Sequence, residues 1–294
     1  MTRATLALVA AAFLFGSTFL VVKDAVEDAA VVPFLATRFL VGAAVLGFVA
    51  RHRARTSPAR PRRRGLVRGG VTAGAALAGG YLFQTAGLQY VSSTVSAFVT
   101  YLLVVFVPVL SAVVLRRSPR PTTVAGVALA TAGLVLLTGG HLSFGEGELL
   151  TLGCAFLFAI HIVVLADLAP RHDTVALNLV QIGFVGVALL LPGFVLGGYG
   201  FPLGVWLAAA YTGVVVTAGA FMLQVWAQRV TGPTRTALVL LLEPVFAALL
   251  GYLTGERLGV AAWFGALLIL AAVLVSELGP YLTARSTVRE PDHG

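Results

Sequence analysis

Apolar residues run along this chain in stretches of about twenty, separated by short polar or Gly/Pro-rich intervals. The stretches fall near residues 4–22, 31–50, 69–89, 94–115, 122–140, 149–167, 175–195, 203–227, 235–254 and 258–277. About twenty apolar residues, as a helix, cross a hydrocarbon layer roughly 30 Å thick. Backbone in hydrocarbon must satisfy its own hydrogen bonds, so runs of this length are helices rather than strands. The pattern predicts an all-α integral membrane protein with ten transmembrane helices.

Composition strengthens that expectation. Of the 294 residues, 59% are hydrophobic and only 11% are charged. Soluble domains average ~25% charged residues, and this chain has too few to cover a globule with polar surface. The single cysteine, Cys154, rules out an intrachain disulfide and reads as a small apolar core residue. The N-terminal apolar run is longer than the roughly 7–15 residues of a signal-peptide core, so it reads as a retained first helix. The excess of Arg over Lys, with abundant Ala, Gly, Val and Leu, suits a GC-rich bacterial genome and hence the bacterial inner membrane.

Charge then orients the chain. With ten spans, the N-terminal side of the membrane collects every Lys and Arg of the 20 except Lys23, Arg38 and Arg257. Asp24, Glu27, Asp28, Glu146, Glu148 and Glu256 fall on the opposite side. The positive-inside rule therefore puts both termini in the cytoplasm. The densest cluster, RHRARTSPARPRRRG at 51–65 with Arg68 beyond it, becomes a basic cytoplasmic loop over 51–68. It fits a topological anchor in contact with anionic lipid. Nucleic acid is not the expected partner, because the loop lacks a folded basic domain and aromatics for stacking.

The two halves repeat. AAFLFGSTFLVVKDA from residue 11 aligns without gaps on CAFLFAIHIVVLADL from 154. Phe15 thereby falls on Phe158, Thr18 on His161 and Asp24 on Asp167. YLFQTAGLQY at 81 aligns on FMLQVWAQRV at 221, so Tyr81 falls on Phe221 and Gln84 on Gln224. VPVLSAVVL around Pro108 resembles EPVFAALLG around Pro244, in an imperfect register. Five spans per half invert the second copy across the membrane, the plan that gives secondary transporters two related conformations. The expected division is 4–140 for the first repeat, 148–278 for the second and 279–294 for a cytoplasmic tail.

FLFGSTFLVVK, ATRFLVGAAVL, VVFVPVLSAVVLRRSP, GVALATAGLVLLTG and LLEPVFAALLGYLTGERLG together resemble the EamA-type permeases of the drug/metabolite transporter superfamily, over nearly the whole chain. The resemblance implies ten helices around a central cavity, alternating access, and export of amino acids or related amphipathic metabolites. It also implies that spans 5 and 10, rich in small residues, stand away from the cavity, and it leaves room for a homodimer contact there.

Polar positions inside apolar spans are the candidate site. Glu243 can bind a substrate amine or exchange a proton, or serve as a structural hydrogen-bonding group. His161 offers the same proton or substrate chemistry. Ser17, Thr18, Tyr81, Gln84, Tyr101 and Gln224 are further cavity candidates; the aromatics at 81 and 221 share a helix face with the glutamines three residues on. Thr94 shares a face with Tyr101, and Asn178 with Gln181. Pro108 and Pro244 free the carbonyls of Val104 and Leu240 and are candidate helix-break hinges. Arg38, the one cation clearly within a span, is expected to snorkel or to pair with Asp24 or Glu27.

No cofactor, metal site or ATP-binding motif is expected. Two rivals differ in class. An intramembrane enzyme would use the carboxylates of DAVED at 24 to hold a metal, and a flippase would admit lipid-linked substrates sideways between helices. The first would lose its activity on replacement of Asp24 and Asp28.

Overall fold

The computed structural model describes residues 2–56, 64–91, 93–116, 121–139, 145–253 and 257–286. Among these residues the regular structure is helical, with no strand. The helices are α1 (Arg3–Gly16), α2 (Thr18–Glu27), α3 (Val31–Thr56), α4 (Leu66–Gly87), α5 (Ser93–Tyr101), α6 (Leu103–Val114), α7 (Pro121–Thr138) and α8 (Glu146–Leu168). They continue as α9 (Thr174–Val195), α10 (Leu203–Tyr211), α11 (Phe221–Gln228), α12 (Pro233–Leu240), α13 (Leu242–Leu253) and α14 (Val260–Ser286). A π-helical segment, Thr212–Ala220, joins α10 to α11.

Among the described residues, six stretches are long and apolar enough to cross a bilayer: Val31–Thr56, Val95–Val114, Glu146–Arg171, Thr174–Val195, Leu203–Gln228 and Pro233–Leu253. Of the other predicted spans, the first is cut at Ser17 and the third, α4, is diluted by glycine (LVRGGVTAGAALAGG). The fifth and tenth fall on the apolar helices α7 and α14.

Helix interruptions have local causes. At the α1/α2 junction Ser17 Oγ donates to the carbonyl of Leu14 (2.7 Å) and Thr18 Oγ1 to that of Phe15 (2.7 Å). Such back-bonding competes with the helical ladder and bends it. The α12/α13 junction lies at Leu241, three residues before Pro244, whose missing N–H leaves Leu240 O unbonded by the ladder. Pro244 itself sits in the first turn of α13, where proline is tolerated. Its counterpart differs: α5 gives way to α6 at Leu102, six residues before Pro108, and the helix continues through Pro108. The structural interruptions are therefore at Leu102 and Leu241, not at the prolines that flag them in sequence.

The most extensive packings are α7 on α14, α3 on α9 and α4 on α8, with α1 against α11 and α13. The apolar side chains on the outer faces, among them Val187, Leu191, Phe194, Phe264 and Leu267, are exposed, as a lipid-facing surface requires. The basic stretch begins as helix: Arg51, Arg53 and Arg55 extend α3 and are exposed. Residues 57–63 of that cluster lie outside the described residues.

Candidate functional site

The described residues enclose a cavity of about 80 Å³, counted as space for water centres. At roughly 10–15 Å³ per water on this measure it holds several waters. Its walls come from both halves of the chain: α1, α2, α3, α4, α5 and α6 from the first, and α8, α11, α12 and α13 from the second.

Four aromatic rings form its apolar lining. Phe15 meets Phe221 edge-on with centroids 5.1 Å apart at 74°. Tyr81 meets Phe158 in nearly the same way, at 5.2 Å and 69°. Phe15 and Phe158 are matched positions of the sequence repeat, as are Tyr81 and Phe221, so the two contacts are the same contact made twice with the halves exchanged. Tyr81 and Phe221 then approach each other at 6.5 Å.

Two ionisable groups line the same space. Glu243, in the first turn of α13, accepts a hydrogen bond from Tyr101 Oη at the end of α5. The α1 backbone presses on this point: a Cβ added at Gly16 would sit 2.7 Å from Glu243 O and 3.1 Å from Ala247 N. A glycine at 16 is what lets α1 pass close enough to fix the start of α13.

Arg38 is the second, and here the structure corrects the expectation from sequence. The side chain is 2% exposed. It turns into the cavity rather than snorkelling or pairing with Asp24 or Glu27. Its Nε donates to Thr217 Oγ1 (3.0 Å) and its Nη2 to Tyr81 Oη (3.3 Å). The guanidinium lies 4.8 Å from the Tyr81 ring centre and 5.8 Å from that of Phe39. Thr217 belongs to the π-helical segment, whose wider turn is of a kind that recurs at functional sites.

His161 is buried and ends a polarised chain of side-chain amides. Asn178 Nδ2 donates to the backbone carbonyls of Thr174 (3.0 Å) and Phe221 (3.3 Å), which can only accept. That orientation turns Asn178 Oδ1 toward Gln181 Nε2 (2.8 Å) and Gln181 Oε1 toward His161 Nε2 (2.9 Å). Nε2 must then carry the proton, and in the neutral imidazole Nδ1 keeps the lone pair.

The remaining candidates divide. Thr18, Tyr81, Gln84, Tyr101, His161, Gln224 and Glu243 all line the cavity. Gln84 donates to Thr100 Oγ1 (3.3 Å) and Gln224 to Gln228 Oε1 (3.3 Å). The two glutamines share one space. Ser17 does not join them: its hydroxyl is engaged by Leu14 O and by Tyr211 Oη at 3.1 Å, so the turn of the helix break carries it away from the lining. The side chain of Thr94 lies outside the described residues. Sequence reasoning missed Thr100, Thr217 and the lining role of Arg38. The rarity of a cation inside a span was the available signal for Arg38.

A cavity with ionisable groups and an aromatic lining, inside a multi-pass apolar helical body, suits a membrane transport protein. Comparison with known proteins agrees. The EamA-like transporter family model matches residues 2–139 and again 145–278, and the chain belongs to that family. It is therefore a membrane transporter of small molecules. A protein of Archaeoglobus fulgidus described as an uncharacterized transporter is 33% identical over 279 residues, covering 94% of this chain and 86% of that one. A second such protein from the same organism is 29% identical over 192 residues, or 65% of this chain and 69% of its own length. A solved crystal structure superposes with a TM-score of 0.79 at 21% identity, over 94% of this chain and 96% of the other. That likeness is one of fold.

Proposed function

We propose that this protein is a secondary transporter that exports small amphipathic metabolites, amino acids or close relatives, across the bacterial inner membrane by alternating access. Ten helices in two inverted repeats, 4–140 and 148–278, carry the process, with both termini and the arginine-rich 51–68 segment in the cytoplasm. That segment rests on anionic lipid. The observation that carries the proposal is the aromatic lining, in which Phe15–Phe221 and Phe158–Tyr81 are one contact repeated with the halves exchanged. A pocket walled equivalently by two inverted units can open toward either side by rocking the units, and binding at the repeat interface is the common plan of such transporters.

Within the pocket Arg38 supplies charge, Glu243 a titratable carboxyl group, His161 and the two glutamines directed hydrogen bonds, and the rings an apolar surface. Glu243, with His161 beside the same space, is the group that exchanges a proton or receives a substrate cation during the cycle. The interruptions at Leu102 and Leu241 are the hinge points of the broken helices α5/α6 and α12/α13.

The test is counterflow and efflux from proteoliposomes loaded with an amino-acid and metabolite panel, with and without an imposed pH gradient. Saturable flux of one chemical class, accelerated by the gradient in wild type and insensitive to it in Glu243→Gln and His161→Ala, supports the reading. Leak-like flux with no preference in the panel contradicts it. Gradient-driven flux unchanged in both variants removes the proton role.

A further inference from the structure

Going beyond the general lipid contact proposed for the 51–68 segment, we infer that a groove between α4, α6 and α8 binds one anionic phospholipid, with its phosphate on Arg68 and Arg171 and an acyl chain along the apolar wall. The groove measures about 630 Å³ and shares no lining residue with the central cavity. It lies where α4 starts and where α6 and α8 end, at one end of the helical body. Its wall is Val114, Leu115, Val163, Val164 and Leu168. Two guanidinium groups and one carboxylate stand at its mouth: Arg68 on α4, Asp167 on α8, and Arg171 in the 3₁₀ turn Ala169–Arg171 that follows α8. Arg171 Nη2 donates to Asp167 Oδ1, so the carboxylate is already matched. Arg68 is exposed and, among the described residues, pairs with no carboxylate. The mouth therefore keeps one net positive charge. The start of α4 adds to it, because no side chain caps the helix at Gly65 and its first N–H groups are left without helical acceptors.

A positive mouth above an apolar wall fits a phosphodiester that carries acyl chains, and basic pockets between membrane helices hold such headgroups. A free phosphate would leave the wall unused. A zwitterionic headgroup brings an ammonium group, for which no unmatched carboxylate remains. The repeat supplies an internal comparison. A second groove, of about 470 Å³, lies between α2 and α10. Asp24 and Asp28 stand in it where Asp167 and Arg171 stand in the first, 143 residues apart in sequence. Val205 and Ala208 stand where Gly65 and Arg68 do, at the 140-residue offset of Gln84 and Gln224. The same place thus occurs in both halves with opposite charge: two carboxylates and, among the described residues, no cation line the second groove. An anionic headgroup is drawn to the first and repelled by the second, so a lipid of this class takes one of two equivalent places.

The experiment uses the full chain, delipidated in detergent and titrated with palmitoyl-oleoyl phosphatidylglycerol, with the phosphatidylcholine of the same chains, or with inorganic phosphate. Native mass spectrometry counts bound lipid, and a melting assay reads the stabilisation that binding brings. In wild type phosphatidylglycerol gives one saturable adduct and raises the melting temperature. Phosphatidylcholine binds at least about tenfold more weakly, the worth of two arginines near an anionic headgroup, and phosphate does not displace the lipid. Arg68→Gln weakens the adduct about fivefold. Val114→Trp keeps every charge, fills the exposed apolar wall and weakens it at least as much. Arg51→Gln, Arg53→Gln and Arg55→Gln together, none of which lines the groove, leave it unchanged. The wild-type comparison of the three probes does not depend on the folding of any variant. Equal binding of the two lipids, displacement by phosphate, or full binding by Val114→Trp overturns the inference. A loss in the triple variant as large as that in Arg68→Gln also overturns it and leaves the lipid contact of the 51–68 segment standing. No phosphatidylglycerol adduct at all overturns both.

Discussion

The cavity wall and the α7–α14 pair are built from the same apolar alphabet and do opposite things with it. α7 and α14 form an extensive helix contact, and no residue of either lines the cavity. Their meeting point is reciprocal: a Cβ on Gly133 would lie 2.8 Å from Gly265 O, and one on Gly265 would lie 2.5 Å from Gly133 O. Small residues let the backbones touch, and in lipid such packing is the source of helix association. The helices around the cavity instead break at Ser17, Leu102 and Leu241, widen at Thr212–Ala220, and carry buried polar side chains. Close backbone packing is concentrated in the pair, while buried polar groups and interruptions are concentrated around the cavity.

The largest expected effect breaks the polar side of this contrast. Glu243→Gln removes the titratable carboxyl group that lines the cavity and brings gradient-driven flux down to the rate without a gradient, while detergent-solubilised protein keeps its wild-type elution profile. Next is Gly16→Ala. The added methyl meets Glu243 O and Ala247 N, backbone atoms that cannot swing aside, so α13 shifts. Flux falls severalfold with a smaller change in thermal stability, read from parallel flux and melting assays. Gly133→Leu tests the other region: it forces α7 from α14 at a cost of about 1–3 kcal/mol, lowering the melting temperature while the substrate profile of the folded fraction is retained. Gln181→Leu cuts the amide chain between Asn178 and His161. Leaving those groups unpaired costs about 1–3 kcal/mol, and the pH profile of flux shifts because His161 no longer has a fixed tautomer. The smallest effect separates the prolines. Pro244→Ala restores a donor for Leu240 O and stiffens the α12/α13 junction, so it slows flux more than Pro108→Ala, whose residue lies inside a continuous helix.

Much of the site was readable in advance because apolar context makes polar residues conspicuous. Thr18, Tyr81, Gln84, Tyr101, His161, Gln224 and Glu243 stand out in predominantly apolar spans, and all reach the cavity. The pairing of Phe15 with Phe158, and of Tyr81 with Phe221, was visible as equal spacing in the two halves. What stayed hidden was set by contacts distant in sequence. Arg38 meets Thr217 across 179 residues, and no local pattern announces that the chain near Thr217 adopts a π-helical turn. Ser17 sits one residue before Thr18, and the bend their hydroxyls create sends the two to different places. The interruption at Leu102 was assigned to Pro108 because proline is the visible helix breaker. It falls 139 residues before the one at Leu241, close to the 140-residue offset between Gln84 and Gln224. The repeat is thus kept by the shape of the backbone more faithfully than by its prolines.

The claim at the centre is that one shared cavity opens alternately to the two sides of the membrane. The direct measurement is side-specific labelling of a single cysteine at Gln84, with the buried native Cys154 replaced by alanine. Membrane-impermeant maleimide is applied to right-side-out and to inside-out vesicles. Alternating access predicts that the cysteine is reached from both sides, and that transported substrate protects it from both. Labelling from one side alone, under every substrate and pH condition, would contradict the claim.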